Sequence, residues 1–141
     1  MILHFQGSSS KLPRYKIRQF LPWCLEKLGI DIHQCHNITL TICLYKFTGP
    51  DNGYCTQLSS KEYIIELNKN LDPTTIMMVF AHECVHLKQY IKGELSYIDD
   101  TWAVWKFRKY NMDEIHYYDL PWEIEAAGRE HGLCERFENL I

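Results

Sequence analysis

Asp72-Pro73-Thr74-Thr75-Ile76-Met77-Met78-Val79-Phe80-Ala81-His82-Glu83-Cys84-Val85-His86-Leu87-Lys88-Gln89-Tyr90-Ile91-Lys92-Gly93 is the segment from which the fold can be read. Asp72 can accept hydrogen bonds from the free amides of a first turn. Pro73 suits the first helical position, where no N–H is needed. Apolar residues recur at Ile76, Met77, Phe80, Val85, Leu87 and Ile91. Lys88 and Lys92 lie at the end where a helix favours cations, and Gly93 supplies the stop. The spacing predicts a single helix across the segment.

Within it, His82-Glu83-Cys84-Val85-His86 has the form HExxH. Residues four apart share one face of a helix, so both imidazoles can reach one ion, and zinc is the expected metal. Glu83 is rotated by one position, toward the open side of the metal. There it can take a proton from a zinc-activated water as general base. Cys84 points elsewhere and reads as a small core thiol.

Outward from this helix the chain alternates structure types. Residues 1–10 contain Phe5-Gln6-Gly7 and three serines, which resemble the remnant of a cleavable tag, so they are set aside as a disordered terminus. Arg14 to Leu28 has helical apolar spacing at Ile17, Phe20, Leu21, Cys24, Leu25 and Leu28, with Pro22 inside and Gly29 as the stop. Ile38 to Phe47 alternates as a strand, Tyr54 to Leu58 reads as a second, and Glu62 to Leu67 as a third. Three consecutive strands predict a small antiparallel meander. Its last strand is a candidate edge for peptide binding by strand addition.

Glu94 to Tyr118 is rich in aromatics and reads as irregular, with a short hairpin near Trp102 to Tyr110. Asp119 is the expected cap of a last helix that has Pro121 in its first turn and runs to about Asn139. The whole predicts a small α+β domain over residues 11–141, with a helix, a three-stranded antiparallel sheet, the HExxH helix and a C-terminal helix.

A catalytic zinc site needs a third protein ligand and one open position. Trp122-Glu123-Ile124-Glu125-Ala126-Ala127 on the last helix is the best supplier. Glu123 and Glu125 are two apart, about 200° around a helix, so both cannot face the metal.

The HExxH helix followed by Trp122-Glu123-Ile124-Glu125-Ala126 resembles the gluzincin class of zinc metallopeptidases. It is also similar to small metallopeptidase-like proteins of phages and bacteria that carry a Pro-Trp-Glu-x-Glu-Ala signature. The resemblance covers residues 60 to 130 and is unspecific about substrate. It implies a zincin-like fold, hydrolysis of peptide bonds, and Glu123, directly after the tryptophan, as third ligand beside His82 and His86; Glu125 is the alternate. Members of the class often place Asp or Asn four residues after this ligand to orient a zinc-binding histidine. Here that position is Ala127, which leaves Glu125, Glu130 and Asp119 as candidates for the task. His116, Tyr117 and Tyr118 precede the ligand helix. Tyr118 is the favoured donor to a developing oxyanion, with packing as the alternative role of these aromatics.

Composition bounds the partners. The chain has 141 residues, 46% hydrophobic and 23% charged, with net charge −3. Basic residues neither dominate nor cluster, so no nucleic-acid footprint is expected. No apolar run approaches the ~20 residues of a membrane span, and the start lacks the features of a secretory signal. Six cysteines form no CxxC pair and read as free thiols in a cytoplasmic protein, or one of host cytoplasm if the source is viral. Three functions remain open on the sequence: a metallopeptidase acting on peptide or protein substrates, a regulatory or interaction protein that keeps the zinc site without turnover, and a zinc-stabilised interaction module of a larger assembly, suggested by the aromatic segment 97–118.

Overall fold

The computed structural model describes residues 1–140. Its elements are β1 (Ile2–Gln6), α1 (Arg14–Lys27), β2 (Thr39–Tyr45), β3 (Gly53–Gln57), β4 (Glu62–Asn68), α2 (Pro73–Ile91), β5 (Leu95–Tyr97), β6 (Trp102–Trp105), β7 (Arg108–Asn111) and α3 (Pro121–Glu138). Strands form a four-stranded sheet in the order β1-β2-β4-β3 and a three-stranded sheet in the order β5-β6-β7. The α+β class is as expected.

The strand arrangement differs from a meander. β2 runs parallel to both β1 and β4, and only β3 is antiparallel, on the far side of β4. The reason lies in the residues. Leu40, Ile42 and Leu44 of β2 and Tyr63, Ile65 and Leu67 of β4 are all buried on one face. β3, with Gly53, Thr56 and Gln57, has little to bury and takes the edge. Alternation with period two marks a strand but says nothing of its direction or neighbours. The expected peptide-binding edge, Glu62 to Leu67, is therefore interior, and the edge strands are β1 and β3.

The start of the chain also differs from expectation. Ile2–Gln6 is not disordered but pairs in parallel with β2, from Ile2 opposite Thr39 to Gln6 opposite Cys43. Leu3 and Phe5 pack against the core, and Arg14 and Arg18 lie over the Phe5 ring at 5.0 and 4.7 Å. Alternating Leu3 and Phe5 is a strand pattern that the tag-like Phe-Gln-Gly hid.

α2 is the central element. Asp72 Oδ1 accepts from the Thr75 N–H at 2.9 Å, and Gly93 follows the helix with φ +69°. The helix is buried on most of its surface, from Ile76 to Tyr90, between α1, the large sheet and α3. A helix enclosed in this way cannot rotate, which fixes where its polar side chains point.

The aromatic segment is a second sheet rather than irregular chain. β6 and β7 form the hairpin, from Trp102 opposite Asn111 to Trp105 opposite Arg108, and β5 extends it. The turn residues Lys106 and Phe107 both have positive φ, 47° and 71°. That is a two-residue hairpin turn whose usual Asn-Gly signature is missing. Tyr97, Trp105 and Tyr110 surround the buried Trp122 ring at centroid distances of 6.3, 6.2 and 6.0 Å. The small sheet thus clamps the first turn of α3 against α2. Asp119 does not cap α3: it ends a single 3-10 turn, and the N-cap position is Leu120. Among the described residues no helix is long and apolar enough to cross a membrane.

Candidate metal centre

His82 and His86 project from one face of α2, with ring centroids 4.9 Å apart. Glu123 reaches them from the first turn of α3. One ligand atom from each of the three lies within 4.8 Å of the others. Glu123 spans the pair: Oε1 lies 3.1 Å from His82 Nε2 and Oε2 lies 3.1 Å from His86 Nε2. The two Nε2 atoms are 3.2 Å apart. Glu123 is the member of the Glu123/Glu125 pair that joins the histidines. Glu125 is turned to Lys88, whose Nζ lies 2.8 Å from both of its carboxylate oxygens.

The outward nitrogens of both rings are occupied. His82 Nδ1 is 3.2 Å from Glu130 Oε2, and His86 Nδ1 is 2.8 Å from Gln89 Oε1. Both partners are acceptors, so a neutral ring that donates to them carries its hydrogen on Nδ1 and keeps its lone pair on Nε2, whereas a ring protonated on both nitrogens donates to Glu123 as well. With both rings neutral, two lone pairs and a carboxylate converge on one small volume. Three acceptors that face one another repel unless a cation lies among them. Two histidine nitrogens and one carboxylate are also a recurrent donor set of catalytic zinc. The residues fit a divalent metal by geometry and by donor chemistry.

Comparison of the chain with family models, curated proteins and solved structures returns no match. The functional reading rests on the site itself.

Electrostatics agree with strong mutual interaction. Burial works against the Glu123 carboxylate, but hydrogen bonds to His82 and His86 and their charges outweigh it and hold the pKa at about 2. Burial would lower both histidines; the Glu123 hydrogen bond and the charges of Glu83 and Glu123 raise them on balance.

Glu83 sits beside this cluster. It is 6% exposed, and its Oε2 has no hydrogen-bond partner. A buried carboxylate oxygen without a protein partner is costly and calls for a water, an ion or a catalytic role. Burial raises its pKa to about 7, partly offset by the charges of His86 and His82. A carboxyl near neutrality can both accept and return a proton at physiological pH.

β3 forms the adjacent wall. A Cβ built on Gly53 would come within 2.6 Å of Val79 Cγ1, 3.1 Å of Glu66 O and 3.4 Å of Glu83 Cγ. Glycine therefore lets the edge strand lie directly on the HExxH stretch of α2. The Tyr90 hydroxyl ties the same strand down by donating to the Cys55 carbonyl at 3.4 Å.

Of the two adjacent tyrosines, Tyr117 is the one whose charge state is coupled to Glu123. Tyr118 is 72% exposed and its ring stacks on His116 at 5.7 Å. Tyr117 is also exposed, at 56%, and is the tyrosine whose ionisation the acids of the site oppose. Partial burial, then the charge of Glu123 and a hydrogen bond to it, push its pKa above the usual range, and Glu83 adds to this. Both rings of the 3-10 turn Tyr117–Asp119 are exposed, and nothing in the sequence of two adjacent tyrosines distinguishes them. Asp119 is exposed and takes no part, while Glu130 does. Cys84 is fully buried, as a core thiol should be. Gln89 had no signal of its own: it is a buried polar residue on the same helix, three positions after His86.

Proposed function

We propose that the protein is a zinc-dependent metallopeptidase of gluzincin type, with His82, His86 and Glu123 as metal ligands and Glu83 as general base. The observation that carries this is the convergence of three acceptors beside the unpartnered Glu83 oxygen. A divalent ion held by these residues supplies a Lewis acid that acidifies water and polarises a carbonyl. Glu83 removes the proton from the attacking water and passes it to the leaving amine, a task suited to a carboxyl poised near neutrality. Tyr117 donates its hydroxyl to the carbonyl oxygen as negative charge builds there. The free edge of β3 offers unpaired backbone groups to an extended peptide, which would add as a further strand next to Glu83.

Peptide or protein chains are the substrates of this reading. Six unpaired cysteines suit a reducing compartment, so we assign the protein to the cytoplasm, or to host cytoplasm if its source is viral.

Hydrolysis of a diverse peptide library tests the proposal. Cleavage should vanish with chelator and return with zinc. Zinc binding without any cleavage would leave a metal-binding interaction protein and end the peptidase reading.

A further inference from the structure

Gln89 is 0% exposed and holds three partners. Its Nε2 donates to the Trp122 carbonyl at 3.0 Å and to Glu125 Oε1 at 3.0 Å, and its Oε1 faces His86 Nδ1 at 2.8 Å. The two ends of a carboxamide have nearly the same shape, so only the partners decide which way it points. A backbone carbonyl and an ionised carboxylate can only accept. Together they force the NH2 toward α3 and the carbonyl oxygen toward His86.

The ionised state of Glu125 has its own support. Lys88 is 4% exposed, with Nζ 2.8 Å from both Glu125 oxygens. Glu94 Oε1 pairs with the same Nζ at 2.8 Å. A lysine is rarely buried without such partners, and this one lies next to the metal-facing turn of α2. His82 needs no such device, because Glu130, a carboxylate, accepts from its Nδ1 directly.

We propose that Lys88, Glu125 and Gln89 form one positioning unit that holds His86 as the Nδ1–H tautomer and so directs its Nε2 lone pair at the metal position. The chain of cause runs from ion pair to amide orientation to tautomer. With the amide reversed, His86 would carry its hydrogen on Nε2, between His82 and Glu123, where a metal must sit. Glu125 acts from a distance and is a positioning residue, touching neither metal nor substrate. The unit also joins α2 to α3, so the tautomer is correct only when the two ligand-bearing helices are docked. This inference rests on the metal-site reading for its purpose, though the tautomer itself does not.

Nitrogen-15 NMR of the imidazoles in the full-length, metal-free protein, at a pH where the rings are neutral, reads the tautomer directly. His86 in the wild-type protein should be the Nδ1–H form. Gln89→Met and Glu125→Gln should each raise the Nε2–H population. Co2+ titration of the same proteins, followed by visible absorption and competition with a chelator, should show affinity falling 10- to 100-fold for Gln89→Met with an altered spectrum. A wild-type His86 in the Nε2–H form overturns the proposal, even if neither variant folds. Variants with unchanged tautomer and unchanged Co2+ spectrum overturn it as well. Wild-type protein that keeps the Nδ1–H tautomer but binds no Co2+ would instead defeat the metal reading, leaving the amide relay in place.

Discussion

Glu130 Oε2 lies 3.2 Å from His82 Nδ1, two turns of α3 beyond Glu123. Ala127, one turn beyond Glu123, is exposed and contributes nothing. The acidic group beside His82 thus stands about one turn beyond the position that the gluzincin resemblance implies. Replacing Glu130 with Ala should weaken zinc binding by about 10- to 100-fold, whereas Gln, which keeps an acceptor, should cost less. Competition with a chromophoric chelator measures this, and equal affinities for all three proteins would remove the orienting role.

Glu83→Gln should retain zinc and lose hydrolysis, by ~10²- to 10⁴-fold in kcat. Metal content by mass spectrometry and turnover of a cleaved peptide are the two measurements. Undiminished turnover would exclude Glu83 as the base.

The same substitution has a stability signature in the metal-free protein. The Glu83 carboxyl stands at about 7 in the folded chain against 4.5 for a free glutamate side chain. Below pH 4.5 both states keep the proton, and the contribution of this group to stability is fully present. As pH rises to about 7 the unfolded chain releases the proton first, and that contribution is lost. Glu83→Gln has no proton to lose, so its stability relative to wild type should improve by about 3 kcal/mol between pH 4.5 and 8. Urea unfolding in excess chelator at pH 4.5 and 8 checks it; a margin independent of pH contradicts the burial argument.

Tyr117→Phe removes the hydroxyl whose ionisation Glu123 opposes. The expected loss is ~10²- to 10³-fold in kcat with KM little altered, the pattern of an interaction made in the transition state. Tyr118→Phe should leave both parameters unchanged. Steady-state kinetics separate the two, and equal effects would mean that the turn is mobile enough to present either ring.

Gly53→Ala inserts a methyl group where Val79 Cγ1 is 2.6 Å away. The edge strand must then lift from α2, at a cost of ~1 to 3 kcal/mol. Thermal unfolding should reveal the loss, and a peptide bound along β3 should bind more weakly. A variant as stable as wild type would show that the strand has room to shift.

The HExxH helix could be read almost completely in advance, because its information is local. Asp72 caps, Gly93 stops, and the positions of His82, Glu83 and His86 around the axis follow from 3.6 residues per turn. The same holds for α1 and for the existence of the three strands between Ile38 and Leu67. The order and direction of those strands could not be read, because alternation is identical for a parallel and an antiparallel partner. β1 was lost to a tag-like tripeptide, and the small sheet to a hairpin turn made of Lys106 and Phe107 in place of Asn and Gly.

By itself the sequence determined that one helix would present two imidazoles and a carboxylate at fixed angles, and that the last helix carried the remaining acids. Only the tertiary structure decided among those acids. The aromatic clamp on Trp122 sets the rotation of α3, which carries Glu123 to the histidines, Glu130 behind His82, and Glu125 to Lys88. Residues on a single helix keep their angles wherever that helix goes. The meeting of two helices depends on side chains distant in sequence, whose packing leaves no local pattern to read.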